Sequence, residues 1–136
     1  MNPDADINIV FTRLLAGSTD YHLGGFRALP YSKFVVQNFR PYVMGTRCHM
    51  LAMYVVLENY LSMICDYPDA YIGEPGFEVL KNIPTTWDKT YVPAAKVDEY
   101  VSIARRKNDV WYIGTITNLT AREIKLKLDF LPAGKF

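Results

Sequence analysis

Half of the 136 residues are hydrophobic and 14% are aromatic, which supplies a core for one domain and excludes an intrinsically disordered chain. The formal net charge is +1 and the Lys and Arg residues are scattered, which argues against a nucleic acid as partner. The N-terminal sequence MNPDADINIV does not resemble a signal peptide, and the longest apolar run, Leu51–Leu57, is far too short to span a membrane.

The first predicted elements are a strand and a polar loop. Asp6–Gly17 (DINIVFTRLLAG) is almost continuously apolar and ends in glycine, which favours a buried strand of a parallel sheet. Ser18–Pro30 is a loop, because it contains a Gly-Gly pair and ends in proline. The polar side chains that this loop presents after the strand are Asp20, Tyr21, His22 and Arg27.

A helix, a second strand, a second loop and a short helix follow. Thr46–Tyr60 predicts a largely buried helix with Thr46 as its N-cap. Leu61–Cys65 is a short apolar run that suits a buried strand, and Asp66–Gly76 is a polar, aromatic loop. Phe77–Asn82 begins a short helix that the following proline stops.

The order of strand, polar loop and helix therefore occurs twice, which is the repeating unit of a parallel barrel. Two such units cannot close a barrel, because their edges stay unpaired and one face stays uncovered. Residues 1–84 are therefore expected to belong to a larger fold.

From residue 85 onward the pattern predicts strands only, so that the fold class is α/β followed by all-β. Thr85–Val92 is the first strand, followed by a Pro-Ala-Ala-Lys loop. Val97–Leu131 predicts three antiparallel strands, with a turn at Lys107–Asp109 and Val110–Thr117 as the central strand. In the last strand, Ile124, Leu126, Leu128 and Phe130 alternate with Glu123, Lys125, Lys127 and Asp129. This alternation predicts one face on a core and one in water, and the sheet needs a covering layer from earlier in the chain.

The polar residues after the two predicted strands are the candidate site. If the strands are parallel, both loops lie at the C-terminal face, where barrels bind substrates. We therefore predict that Asp20, Tyr21 and Asp66 bind substrate. The alternative is that Asp20 and Asp66 cap turns or helices.

Five other residues could carry chemistry. Cys48 and Cys65 lie in apolar stretches without metal-ligand spacing, so we expect buried free thiols, with a disulfide as the alternative. His49 is expected to be a core histidine bonded to the backbone. Trp87 and Trp111 are expected to pack between domains, and the alternative is a carbohydrate platform.

Three linked segments resemble the C-terminal part of glycoside hydrolase family 97, which includes α-glucosidases and α-galactosidases. They are FTRLLAGSTDYHLGGFR, TRCHMLAMYVVLENYLSMICDYPDAYIGEPGFEVLKNIPTTWDKT and EYVSIARRKNDVWYIGTITN. The resemblance extends over about residues 7–131. It departs locally at Asn59-Tyr60, where members usually have Ser-Pro, and at Lys89, where they usually have Glu.

The resemblance implies that residues 1–84 are the last two βα units of a (β/α)8 barrel. Residues 85–136 would then be an incomplete antiparallel, β-sandwich-like C-terminal domain. The family's catalytic carboxylates and calcium-binding glutamates lie in segments upstream of this chain. No catalytic residue and no metal ligand are therefore assigned here.

The function implied by the resemblance is that of a C-terminal fragment of an enzyme that hydrolyses α-glycosidic bonds. The fragment would close the barrel and form part of the substrate pocket, but it would be inactive alone. The parent would bind calcium and an oligosaccharide, and would be periplasmic or extracellular. The alternative is a non-catalytic β-domain module for oligomerisation or carbohydrate binding. Unpaired strand edges also predict self-association.

Overall fold

The computed structural model describes residues 2–133. Its helices are Pro3–Phe11 (α1), Arg47–Val56 (α2) and Phe77–Asn82 (α3). Its strands are Ala28–Leu29 (β1), Val43–Met44 (β2), Lys89–Lys96 (β3), Tyr100–Lys107 (β4) and Val110–Thr117 (β5). None of the helices within residues 2–133 is long and apolar enough to cross a bilayer.

The N-terminal segment is a helix, so the strand predicted over Asp6–Gly17 is wrong. Asn2 caps α1, since its Oδ1 accepts a hydrogen bond from the backbone N of Ala5 at 2.9 Å. Pro3 follows at the first helical position, and acidic residues occupy the first turn. These residues are typical of a helix N-terminus, and the segment therefore forms a helix. The apolar residues that follow lie within this helix, which buries Ile7 completely.

The two helices predicted further along the chain are confirmed. Thr46 caps α2, since its Oγ1 accepts a hydrogen bond from the backbone N of His49 at 3.1 Å. The helix ends at Val56, a few residues earlier than the sequence pattern suggests. α3 spans Phe77–Asn82 as predicted.

The second predicted strand, Leu61–Cys65, is also wrong. This segment has no hydrogen-bonded neighbour in either sheet of the described residues, and Leu61 and Ile64 are 67% and 56% exposed. Parallel pairing occurs instead between β1 and β2, with Ala28 opposite Val43 and Leu29 opposite Met44. A barrel arrangement is therefore not visible in residues 2–133.

The second half of the chain forms a three-stranded antiparallel sheet in the order β3-β4-β5. The bounds of β5 and the preceding turn agree with the prediction, and Asn108 takes a positive φ of 52° in that turn. The central strand is β4, because β5 has no partner on its other side among the described residues. The predicted Pro-Ala-Ala-Lys loop is part of β3, with Pro93 at an irregularity of the pairing.

The last predicted strand does not form, although part of its alternation persists. Residues 121–128 have no strand pairing; Ile124 and Leu126 are half-buried, whereas Lys125 and Lys127 are exposed. Leu128 is 50% exposed, so the prediction that it lies in a core is wrong. Phe130 packs against the rings of Tyr91 and Trp111, each at 4.9 Å between centroids.

The larger of two apolar clusters in residues 2–133 joins the two halves of the sequence. Its buried members come from α1, the first polar loop, α2 and its C-terminal end, and the sheet, and they are Ile7, Leu23, Met50, Met53, Tyr54, Val56, Leu57, Val101, Ile103 and Ile116. α2 therefore provides the covering layer that the sheet requires. The domain boundary at residues 84 and 85 stays a prediction.

Two residues allow α2 to pack closely on the sheet. A Cβ on Gly114 of β5 would lie 2.7 Å from the backbone O of Ala52, so only glycine permits this distance. Arg105 of β4 is 4% exposed and donates to the backbone O of Val55 at 2.6 Å and of Val56 at 3.1 Å. These hydrogen bonds satisfy carbonyls at the C-terminal end of α2.

The N-terminal helix is also bonded to the end of the sheet. The backbone N of Leu119 donates to Oδ1 of Asp4 at 3.0 Å. α1 contacts both β4 and β5. The first helix of the chain is therefore held by the last strands.

Candidate functional site

Asp66 joins the two polar loops that the sequence singles out. Its Oδ2 accepts hydrogen bonds from the backbone N atoms of Phe26 and Arg27 at 3.0 and 3.1 Å. The guanidinium of Arg27 forms an ion pair with Oδ1 at 2.7 Å, and the Asp66 side chain is 3% exposed. The backbone N of Tyr67 donates to the same Oδ1 at 2.9 Å.

These contacts shift the charge state of the carboxyl group. Burial by itself would raise the pKa of Asp66, but the hydrogen bonds from Arg27 and from the backbone N–H groups outweigh it. The net result is a pKa below the ordinary aspartate value, so Asp66 is ionised at neutral pH. The hydrogen bond to Asp66 correspondingly raises the pKa of Arg27.

Residues close in sequence to Arg27 and Asp66 allow this junction to form. A Cβ on Gly25 would lie 2.9 Å from Oδ2 of Asp66, so a side chain there would crowd the carboxylate. Phe26 is buried and its ring stacks on Tyr71 at 4.9 Å. The Tyr71 hydroxyl accepts hydrogen bonds from the backbone N atoms of Cys65 and Asp66, at 3.1 and 2.9 Å. The aromatic cluster thus fixes the backbone on both sides of the ion pair.

Tyr21 is directed towards α1. Its hydroxyl donates to Oδ1 of Asp6 at 2.9 Å, and Asp6 is 3% exposed. Burial and then the Asp6 carboxylate raise the pKa of Tyr21. Nε2 of His49 donates to the other oxygen of Asp6 at 3.0 Å. His49 is therefore a core histidine, as predicted, but its ring is bonded to a carboxylate and not to the backbone as expected.

The three predicted substrate-binding residues have different environments. Asp20 is exposed in the first loop. Tyr21 is half-buried and bonded to Asp6, whereas Asp66 is buried and bonded to Arg27. The carboxylate of Asp66 therefore has a structural role between the loops. Contact of any of the three with a substrate stays a prediction.

Arginine and aromatic side chains form a surface around the Asp66 junction. The sequence analysis does not predict this surface. The Arg27 guanidinium lies 5.5 Å from the Tyr42 ring centroid and 5.9 Å from that of Tyr67. The guanidinium of Arg40 lies 5.1 Å from the Tyr67 ring, and Phe39, which is 73% exposed, packs beside it at 6.1 Å. Each guanidinium is close enough to these rings for a cation–π contact.

The tryptophans lie in or before the sheet. The Trp87 ring contacts that of Tyr112 at 5.4 Å and lies 6.0 Å from the Arg105 guanidinium. Trp111 contacts Phe130. Across residues 2–133 no group of three or more His, Cys, Asp and Glu side chains could hold a metal ion.

Both cysteines are free and exposed, so the expected burial is wrong. Their apolar neighbours in sequence do not enclose them, because the strand predicted to bury Cys65 does not form. Cys65 instead contacts His22 from the first loop, at 3.3 Å between Sγ and Nδ1.

Comparisons with known proteins agree on one class. Residues 86–136 match a family model described as "Glycosyl-hydrolase 97 C-terminal, oligomerisation". The chain is 41% identical over 127 residues to a retaining alpha-galactosidase of Bacteroides thetaiotaomicron, covering 93% of this chain and 19% of that protein.

Solved structures give the same result. A glycoside hydrolase family 97 enzyme from Pseudoalteromonas sp. strain K8, in complex with acarbose, superimposes with a TM-score of 0.77 at 27% identity, covering 98% of this chain and 21% of that one. A beta-arabinopyranosidase superimposes with a TM-score of 0.64 at 25% identity, covering 85% of this chain and 19% of that one.

The fold and the relatives thus show that this chain is part of a glycoside hydrolase. The chain belongs to glycoside hydrolase family 97 and corresponds to its C-terminal region. It spans about a fifth of the length of these relatives.

Proposed function

We propose that this chain serves as the C-terminal region of a retaining α-galactosidase. The observation that carries the proposal is the 41% identity to such an enzyme, which extends over 93% of the chain. The superposition on a family 97 enzyme over 98% of the chain supports the same role. In this role residues 1–84 complete the catalytic barrel and contribute to the substrate pocket, and residues 85–136 form the C-terminal β-domain.

The chemistry of the parent enzyme requires carboxylates that this region does not supply. Glycoside hydrolysis needs a pair of carboxyl groups on either side of the scissile bond. In residues 2–133 the buried Asp6 carboxylate is hydrogen-bonded to Tyr21 and His49, and the Asp66 carboxylate forms an ion pair with Arg27. The catalytic pair and any calcium ligands are therefore assigned to the remainder of the parent enzyme, which we propose to be periplasmic or extracellular.

A chimera tests this function. The matched C-terminal segment of the Bacteroides thetaiotaomicron enzyme is replaced by this chain, and hydrolysis of p-nitrophenyl α-galactoside is measured. We expect the chimera to hydrolyse the substrate, whereas this chain alone does not. In the chimera, Asp20→Asn should raise KM without changing Tm, because Asp20 is exposed and is predicted to bind sugar.

The matched control in the chimera is Asp69→Asn, a second exposed carboxylate, whose side chain is 62% exposed. It should leave KM unchanged. A folded chimera without activity would contradict the proposed function, and an unchanged KM for Asp20→Asn would contradict the role of Asp20.

The second candidate function is oligomerisation. It is favoured by the description of the family model that matches residues 86–136. Apolar side chains of that region are also exposed, among them Ile113 at 41% and Leu128 at 50%. A second copy of the C-terminal β-domain is the partner that this function implies.

A further inference from the structure

Cys65 and His22 form a close pair on the surface of the chain. Sγ of Cys65 lies 3.3 Å from Nδ1 of His22, and both residues are exposed. The same thiol can also donate to the backbone O of Met63, at 3.7 Å. The two residues come from different loops, 43 positions apart.

The backbone on both sides of the pair is fixed. The N–H of Cys65 is bonded to the hydroxyl of Tyr71, which is 3% exposed. On the other side, Leu23 follows His22 directly and is completely buried, and the carbonyl of Tyr21 accepts a hydrogen bond from Asn59 Nδ2 at 2.6 Å. The packing beneath the pair therefore fixes the backbone that carries each of the two side chains.

The arrangement has the elements of an activated thiol. A thiolate is the reactive form of cysteine, and an imidazole within hydrogen-bond distance can accept the thiol proton. The carboxylate of the next residue, Asp66, is paired with Arg27 and so does not present an uncompensated negative charge that would oppose a thiolate. The sulfur is open to solvent, which allows a reagent to approach it.

We propose that Cys65 is a site of covalent modification by small disulfides, with His22 as its proton acceptor. The thiol proton of Cys65 moves to Nδ1 of His22, and the sulfur attacks one sulfur of the disulfide R–S–S–R. A new S–S bond forms between Cys65 and R–S as the original S–S bond breaks. The leaving thiolate takes the proton from His22 and departs as R–SH. His22 and Cys65 directly neighbour Tyr21 and Asp66, which are predicted to bind substrate, but the thiol reaction itself does not require glycosidase activity.

The second cysteine provides an internal reference. Cys48 lies near the N-terminus of α2 and is exposed, so we expect it to react with thiol reagents as well. The histidine beside it in sequence, His49, is bonded to Asp6 and is not its proton acceptor. A change that alters the fold would affect both cysteines, whereas a change at His22 should affect Cys65 alone.

The test measures the rates at which oxidised glutathione modifies Cys65 and Cys48 in the full chain, by peptide mass spectrometry. We expect His22→Ala to slow the reaction of Cys65 by about tenfold and to leave that of Cys48 unchanged. His22→Asn retains a hydrogen-bonding side chain that cannot accept a proton, and should slow Cys65 equally. An unchanged rate at Cys65 in His22→Ala would overturn the proposal. Recovery of the rate in His22→Asn would also overturn it, because positioning alone would then explain the effect.

Discussion

Arg105 connects the C-terminal end of α2 to the sheet through three hydrogen bonds. Besides the carbonyls of Val55 and Val56, its guanidinium reaches Oγ1 of Thr90 at 3.0 Å. Burial lowers the pKa of Arg105, but an arginine stays protonated. Arg105→Met keeps the length of the side chain and leaves the carbonyls without a partner. We expect a loss of about 2–4 kcal/mol in the free energy of unfolding, measured by urea denaturation.

The matched control is Arg40→Met. Arg40 pairs with Asp69 on the surface, where the two side chains are 41% and 62% exposed. Exposed pairs contribute about 0–1 kcal/mol, so this variant should unfold close to the parent chain. Equal losses for Arg40→Met and Arg105→Met would show that the carbonyl contacts do not matter.

Asp66 should make stability depend on pH in the acid range. Its pKa in the folded chain lies below the ordinary value of 3.8. A lowered pKa contributes stability that is complete above the unfolded value and is lost as the pH falls through the folded value. Asp66→Asn should therefore lower Tm at pH 7, and its difference from the parent chain should shrink as the pH falls below 3.8. Thermal melts at several pH values measure this difference; Asp69→Asn is the control, and a difference independent of pH would refute the expectation.

Single residues also show what a sequence can and cannot reveal. The sequence indicates that Asp66 is important, because it follows an apolar run and opens a polar loop. Its partner Arg27 lies 39 positions away, and no local pattern encodes that contact. The exposure of Cys65 was missed for the same reason, since burial depends on which elements pack over a residue.

At the scale of elements, Gly114 sets the distance between α2 and β5. Its missing Cβ would lie 2.7 Å from the backbone O of Ala52 and 2.9 Å from Cβ of Val55. Because a backbone atom is the nearest obstacle, Gly114→Ala must move the helix away from the strand. We expect a loss of about 1–3 kcal/mol in the free energy of unfolding by urea denaturation.

A substitution at the neighbouring residue of β5 distinguishes the displacement of α2 from a change in strand propensity. Ile113→Thr replaces one β-branched residue by another at a position that is 41% exposed. It should cost less than about 1 kcal/mol. If Gly114→Ala were as mild as Ile113→Thr, the close approach of α2 would not be needed.

Elements with strong local signals were predictable, and the others were not. α2 has a capping threonine, and β5 follows a turn whose asparagine adopts a positive φ. α1 has comparable signals in Asn2 and Pro3, but its apolar alternation favoured a strand. Segment 123–130 alternates between apolar and charged residues but forms no strand. Such a period of two is insufficient to form a strand when no neighbouring strand is available for pairing.

At the scale of the whole molecule, exposed apolar surface predicts self-association. Tyr31, Val36 and Phe39 lie in one loop region and are 64%, 80% and 73% exposed. Patches of this kind are normally covered in a soluble protein. The isolated chain should therefore have a mass above that of a monomer in light scattering. Val36→Lys should reduce the mass, whereas Lys33→Arg in the same region should not. A parent chain that stays monomeric at high concentration would contradict the expectation.

The attachment of α1 to the end of the sheet has a consequence for how the chain folds. α1 is synthesised before the sheet, yet the core that buries Ile7 also contains Val101 and Ile116, and Asp4 bonds to Leu119. Contacts between such distant positions require the closure of a long loop. During synthesis α1 must therefore remain undocked until β5 has been made, so that a helix made before the sheet reaches its final position only after it.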